Sequence, residues 1–231
     1  MLIRWLPFLA GIVPLVAVAG AFWIGVANEV LPSSCIPFLD GCVSISAAGR
    51  KPPGSFLFRA VMLPQAVLLI IVWHFSVLWL RSLDSALRRS TVIAIMVSGI
   101  VGAIATIIYV TFLGTKEPIY EFMRRIGIYF GFLGAGVAQL IIAVTLNRIA
   151  NALRHTQLIR LARVMSVIWL TAFSLGLLNV VLRSILEDSD QWENRIEWIV
   201  FIIMQCYFVV LYFAWRVTDF ALSVSTRTNH S

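Results

Sequence analysis

The stretch CVSISAAGRKPPGSFLFR, Cys42 to Arg59, decides how the rest of the chain is read. It places three serines, two glycines, two basic residues and a proline pair between two apolar runs, and then an arginine at the head of the second run. Such a break separates one membrane crossing from the next. Of 231 residues, 60% are hydrophobic and 13% charged, and the mean hydropathy is +0.92. Soluble domains carry charge on about a quarter of their residues, so this chain belongs in a bilayer. A hydrocarbon core of about 30 Å takes roughly 20 apolar residues per helix. Six stretches of that kind are read at about 5–28, 57–80, 91–113, 124–147, 164–186 and 197–222, with a polar loop at 29–56. The expected fold class is all-α, a bundle of six transmembrane helices forming a single membrane domain over 1–231.

The first span has a signal-like end at AVAGAF, but its apolar run continues through Phe22, Trp23 and Ile24. Secretory h-regions run about 7–15 residues, so it is read as a retained span. Orientation follows from Lys and Arg. With the N-terminus inside, the inner segments hold Arg4, Arg81, Arg88, Arg89, Arg148, Arg154, Arg160, Arg163, Arg216 and Arg227. The acids Glu29, Asp40, Glu117, Glu121, Glu187, Asp188, Asp190, Glu193 and Glu197 then fall outside. Both termini are expected to be cytoplasmic, in a bacterial inner membrane or a membrane of the eukaryotic secretory pathway. The net charge of +7 suits inner loops facing anionic lipid. No basic-aromatic nucleic-acid module is present.

Cys35 and Cys42 share the first outer loop, on the oxidising side. A disulfide closing a small turn around Pro37 and Gly41 is expected there, with free thiols as the plainer alternative. Cys206 lies inside the last span as a small apolar residue. No metal site is expected, and no cofactor. The histidines are His74, His155 and His230, and none stands where it could serve the loop serines as a base.

Small residues recur at four-residue spacing in three spans: Ala94, Ser98, Gly102 and Thr106; Gly127, Gly131 and Ala135, leading to Gln139; and Gly176, Asn179 and Arg183 on one face. These ridges allow close helix approach. Gln65, Gln139 and Asn179 are candidates for hydrogen bonds across helices. Glu197, Gln205, Tyr212 and Arg216 fall on one face of the last span, which must look into the bundle or toward the interfaces.

The outer side also gathers cations. Arg59 is placed in the first turn of the second span, and Arg124 and Arg125 in the first turn of the fourth. A cation there opposes the helix dipole and needs compensation. With Arg50, Lys51 and Arg183 they form a ring at headgroup level, suited to phosphate or carboxylate. Ordinary snorkelling, with an Arg183–Glu197 pair pinning the last two spans, is the competing reading. In the loop, VSIS alternates and is expected to run extended with Ser44 and Ser46 on one face. Gly49 permits a turn, Pro52 and Pro53 favour extended geometry before them, and Ser55 is a candidate N-cap.

SISAAGRKPPGSFLFR, Ser44 to Arg59, resembles the motif of the FRAG–DRAM–SFK family of six-span membrane proteins, with its Ser-Ile-Ser, Gly, Pro-Pro and aromatic-Arg pattern. EWIVF, from Glu197, is a weaker echo at the head of the last span. Relatives tend to carry the Asp-Phe pair closer to that glutamate than Asp219-Phe220 stands here. The family includes a Golgi factor of GPI-anchor lipid remodelling and the damage-regulated autophagy modulators, so the resemblance implies a role with lipids.

The combined reading is a non-catalytic protein that handles or assists remodelling of lipids and binds an anionic headgroup at the outer leaflet. Its candidate contacts are Ser44, Ser46, Arg50, Arg59, Arg124, Arg125, Arg183 and Glu197. The partners expected are membrane lipids. One alternative is a scaffold docking a partner membrane protein through the first outer loop. Another is a serine- or carboxylate-dependent lipid acyltransferase or lipase.

Overall fold

A computed structural model of the chain describes residues 2–186 and 189–221; Glu187, Asp188, Arg227 and His230 lie outside them. A short 3-10 turn, Leu2–Trp5, leads into α1 (Leu6–Ala27). The loop that follows contains two one-turn helices, α2 (Pro37–Asp40) and α3 (Ile45–Ala48). Four antiparallel helices come next: α4 (Gly54–Leu83), α5 (Arg89–Thr111), α6 (Pro118–Ala152) and α7 (Thr156–Ile185). The last is α8 (Asp190–Val217). Six helices are long and apolar enough to cross a membrane, and no strand occurs among the described residues.

The helices overrun the apolar windows because a helix ends where its chemistry stops it, not where hydrocarbon does. Pro118 begins α6 as a first-turn proline, the position where its missing N–H costs nothing. Arg124 and Arg125 therefore stand in the second turn, away from the strongest dipole, and Glu121 pairs with both. Arg59 likewise sits beyond the first turn of α4. Ser55 is not the cap of α4: the helix starts at Gly54 after Pro53, and Ser55 is buried in its first turn. At the other extreme α8 stops at Val217, short of 222. Asp219 takes a φ of 51°, and the Phe220 N–H returns to the Trp215 carbonyl at 3.0 Å.

Each long helix packs on its neighbours in the order α1–α4–α5–α6–α7–α8 and back to α1, a closed ring. The two ends differ. At the end carrying both chain termini (the terminal end), Trp73, Trp79, Ile142, Leu146, Met165, Tyr207 and Trp215 are fully buried together. Trp79 Nε1 donates to Thr218 Oγ1 at 2.8 Å. Arg4 clasps Asp219 and the Phe220 carbonyl, each at 3.1 Å. At the opposite end (the loop end) a second cluster joins Ala17, Val18, Phe22, Val43, Ile45, Phe58, Leu113 and Trp198.

The α5–α6 seam is the tightest. A Cβ on Gly134 would stand 2.6 Å from the Gly102 nitrogen and the Ser98 carbonyl oxygen, and one on Gly127 2.6 Å from the Tyr109 nitrogen. Two of the three small-residue ridges thus meet each other. The third makes no such seam: a Cβ on Gly176 would find no atom within 4 Å, and Asn179 Oδ1 is buried with no partner rather than bonded to another helix. The other two amides do cross. Gln65 donates to the Ala10 carbonyl of α1 at 2.8 Å, and Gln139 to the Met204 carbonyl of α8 at 3.3 Å. Overpacking a tight contact costs about 1–3 kcal/mol. Gly134→Ala should lower the thermal midpoint in detergent by several degrees, whereas Gly176→Ala should leave it unchanged or raise it slightly through helix propensity.

Candidate functional site

The loop between α1 and α4 folds against α8 residue by residue. Cys35 and Cys42 are disulfide-bonded, bracketing α2. Within that bracket the Asp40 carboxylate accepts from the Ile36 N–H at 2.7 Å. Gly41 ends α2 in the left-handed region, φ 68°, and its N–H bonds the Pro37 carbonyl. A side chain there would collide with the Gln191 backbone, so glycine is required on both counts. Asn194 Nδ2 donates to the Gly41 carbonyl at 2.8 Å, and Trp198 Nε1 to the Val43 carbonyl at 2.9 Å.

VSIS does not run extended throughout: Ser44 keeps an extended backbone as the N-cap, and Ile45 and Ser46 begin a turn of helix. Ser44 Oγ accepts from the Ala47 N–H at 3.1 Å, the N-cap of α3, and the Glu197 carboxylate faces the backbone N–H groups of Ile45 and Ser46. These side chains satisfy donors that a one-turn helix leaves open. Ser46 is buried, and its hydroxyl lies 3.0 Å from the Tyr109 hydroxyl of α5. Gly49 does not use a positive φ; it is small because the Phe58 ring lies against it. Pro52 and Pro53, joined by a cis peptide bond, form a turn into α4 instead of an extended strap.

The expected ring of cations separates into three groups. Arg59 Nη2 donates to the Leu113 carbonyl at the end of α5, a fixture that closes the loop end. Arg183 pairs with Glu193 at 3.6 Å rather than with Glu197. Arg50 and Arg124 stand close enough to act on one another and on Tyr109. Arg124, only 15% exposed, is paired with Glu121 at 3.2 Å, yet its Nε is buried without a partner. Arg125 bonds the same carboxylate from a more exposed position. The Arg50 pKa is lowered, chiefly by desolvation and then by the charge on Arg124. An anion between them would relieve both effects.

Beneath this cluster a cavity of about 100 Å³ opens into the bundle. Ser46, Tyr109 and Glu197 lie at its loop end; Phe58, Met62, Ile128, Phe132, Phe201 and Phe208 make most of its wall; Gln65, Gln139 and Gln205 lie deeper. From Glu197 to Phe208 it follows α8 for roughly 16 Å at 1.5 Å per residue. Residues of α1, α3, α4, α5, α6 and α8 form it, and none of α7. On the last span Glu197 and Gln205 line the cavity, while Tyr212 is buried nearer the terminal end, 3.4 Å from Arg216 Nη1. His74 is exposed on α4, and Cys206 is exposed on α8. Of the residues lining the cavity, only Ser46 and Glu197 are among the candidate site residues read from the sequence; Tyr109, which meets Ser46, is not. The signal for Tyr109 was its place three residues beyond Thr106, on the ridge that meets α6.

Compared with known protein families, residues 2–220 match the family described as Frag1/DRAM/Sfk1/Cwh43P N-terminal domain. The chain belongs to this family. It is a multi-pass membrane protein of the Frag1/DRAM/Sfk1 type, and the loop motif from Ser44 to Arg59 is the part that roofs the cavity. No curated protein and no solved structure matches the chain.

If Glu197 holds the start of α3, removing its carboxylate should loosen that turn. Unmaking a hydrogen bond to a buried donor costs about 1–3 kcal/mol. In Glu197→Ala, amide exchange at Ile45 and Ser46 should accelerate about tenfold or more, while amides of α5 keep their protection.

Proposed function

We propose that this protein binds an anionic lipid at the loop end, on the outer or lumenal leaflet, and assists its remodelling or distribution without catalysing a reaction itself. The observation that carries this reading is the pairing of an apolar cavity with Arg50 and Arg124 near its polar end. The cavity's wall of Phe, Met and Ile side chains suits a segment of a hydrocarbon chain. The headgroup anion meets two guanidiniums, one with an unpartnered buried N–H. The excess of Arg at the terminal end supports the orientation with that end cytoplasmic. Membership in the Frag1/DRAM/Sfk1 family supports a membrane role and leaves the lipid open.

The roles of the remaining candidates follow from their contacts. Arg59, Gly49, Pro52, Pro53 and the Cys35–Cys42 bridge shape the roof. Ser44 and Glu197 hold α3, and Ser46 with Tyr109 forms the neutral part of the polar rim. A second reading, docking of a partner protein, has its own support: Ile36, Phe38 and Leu39 are 47%, 43% and 59% exposed at the tip of the loop. A photocrosslinker at position 39 would trap protein under that reading.

Charge-assisted contacts contribute about 1.5–3 kcal/mol each. Native mass spectrometry of purified protein should therefore show an anionic lipid whose occupancy falls about tenfold or more in Arg50→Ala/Arg124→Ala. Arg183→Ala, which removes a cation engaged elsewhere, should retain it. An identical lipid profile in the double variant would rule out headgroup binding at these residues.

A further inference from the structure

The cavity contains a buried acceptor with nothing to accept. Pro14 lies inside α1 and has no N–H, so the carbonyl four residues earlier, Ala10, lacks its helical donor. Gln65 of α4 supplies one from Nε2, at 2.8 Å. That bond fixes which way the amide points, because the Ala10 oxygen can only accept. Gln65 Oε1 is left buried with no partner, on a side chain 3% exposed that lines the cavity beside Pro14. Gln205, from α8, shares the same cavity. Within a bilayer an unpaired amide oxygen is costly, and a wholly saturated hydrocarbon chain would leave it unpaired.

We propose that the cavity selects an acyl chain bearing a hydroxyl part-way along its length, which donates to Gln65 Oε1. This rests on the lipid reading above and specifies its substrate class. The depth can be read from α4. Gln65 lies seven residues beyond Phe58, roughly 10 Å further from the rim. An extended chain advances roughly 1.2 Å per bond, which places the hydroxyl about eight or nine bonds below the headgroup. A hydroxyl next to the headgroup would not reach the glutamine.

The probes are stearate, 2-hydroxystearate and 10-hydroxystearate, whose carboxylate stands for the headgroup. Each would be titrated into the full chain in nanodiscs, with affinities corrected for partition into the lipid. Wild type should bind 10-hydroxystearate at least about fivefold more tightly than either of the others. In Gln65→Leu the three should bind alike, at the affinity of stearate. Because that substitution also strips Ala10 of its donor, Pro14→Ala/Gln65→Leu provides the companion variant: the restored N–H at position 14 serves Ala10, and the preference should still be gone. Equal wild-type affinities would overturn the inference, as would a preference that survives in either variant. A bound water serving Oε1 would produce the former result. Saturable but unselective binding would leave the lipid reading standing, whereas no saturable binding of any probe would remove both.

Discussion

The backbone of the α1–α4 loop has to find hydrogen-bond partners at the edge of a bilayer, and α8 supplies them. Asn194 takes the Gly41 carbonyl, Trp198 the Val43 carbonyl, and Glu197 faces the first N–H groups of α3. These three side chains lie within five residues on one helix. Because they hold the loop down, Ser46 reaches Tyr109, Phe58 lies under Gly49, and the cavity has a roof instead of an open mouth. A loop free to leave the surface would lose each of these at once, since unsatisfied main-chain groups are the steepest cost in such an environment.

The rest of the bundle follows a division of labour between its ends. The terminal end is filled with buried tryptophans and aliphatic side chains and closed by Arg4 on the Asp219–Phe220 turn. The loop end is filled less completely, and it leaves buried polar atoms of Gln65 and Arg124 without partners. Packing without voids is the default for protein interiors. A cavity bounded by six elements, with a buried acceptor and an arginine pair near its rim, departs from that default beneath the α1–α4 loop.

Much of the architecture was legible because hydropathy reports the bilayer directly. Six crossings, the loop and the small-residue ridges of α5 and α6 follow from residues adjacent or one turn apart, whereas the meeting of those two ridges does not. What could not be read depended on distant partners. VSIS alternates over four residues, too few to separate a strand from one turn of helix, and the deciding partner, Glu197, comes from α8. Arg183 was expected to pair with Glu197, yet Glu193, one turn earlier on the same face of α8, takes it. Tyr109 gained meaning through Ser46, which no local pattern connects to it. The proline strap was expected to be extended because the residue before a proline favours that geometry; the turn into α4 prevailed, with Gly54 drawn against the Ala21 carbonyl.

The glycine seam also has a mechanical consequence. Where α5 and α6 touch backbone to backbone at Gly102 and Gly134, no side chain lies between them that could change rotamer and let one slide on the other. The two helices form a stiff wall on one side of the cavity. On the opposite side the α8 backbone is held at Gly11 of α1, where a Cβ would stand 2.8 Å from the Gln205 carbonyl oxygen. Yet α8 meets the cavity through Phe201, Met204, Gln205 and Phe208, side chains with torsional freedom, and α7 stands behind without filling it. Any widening to admit a bulkier guest has to be taken up on that compliant side, by α8 side chains swinging aside while α5 and α6 stay in place.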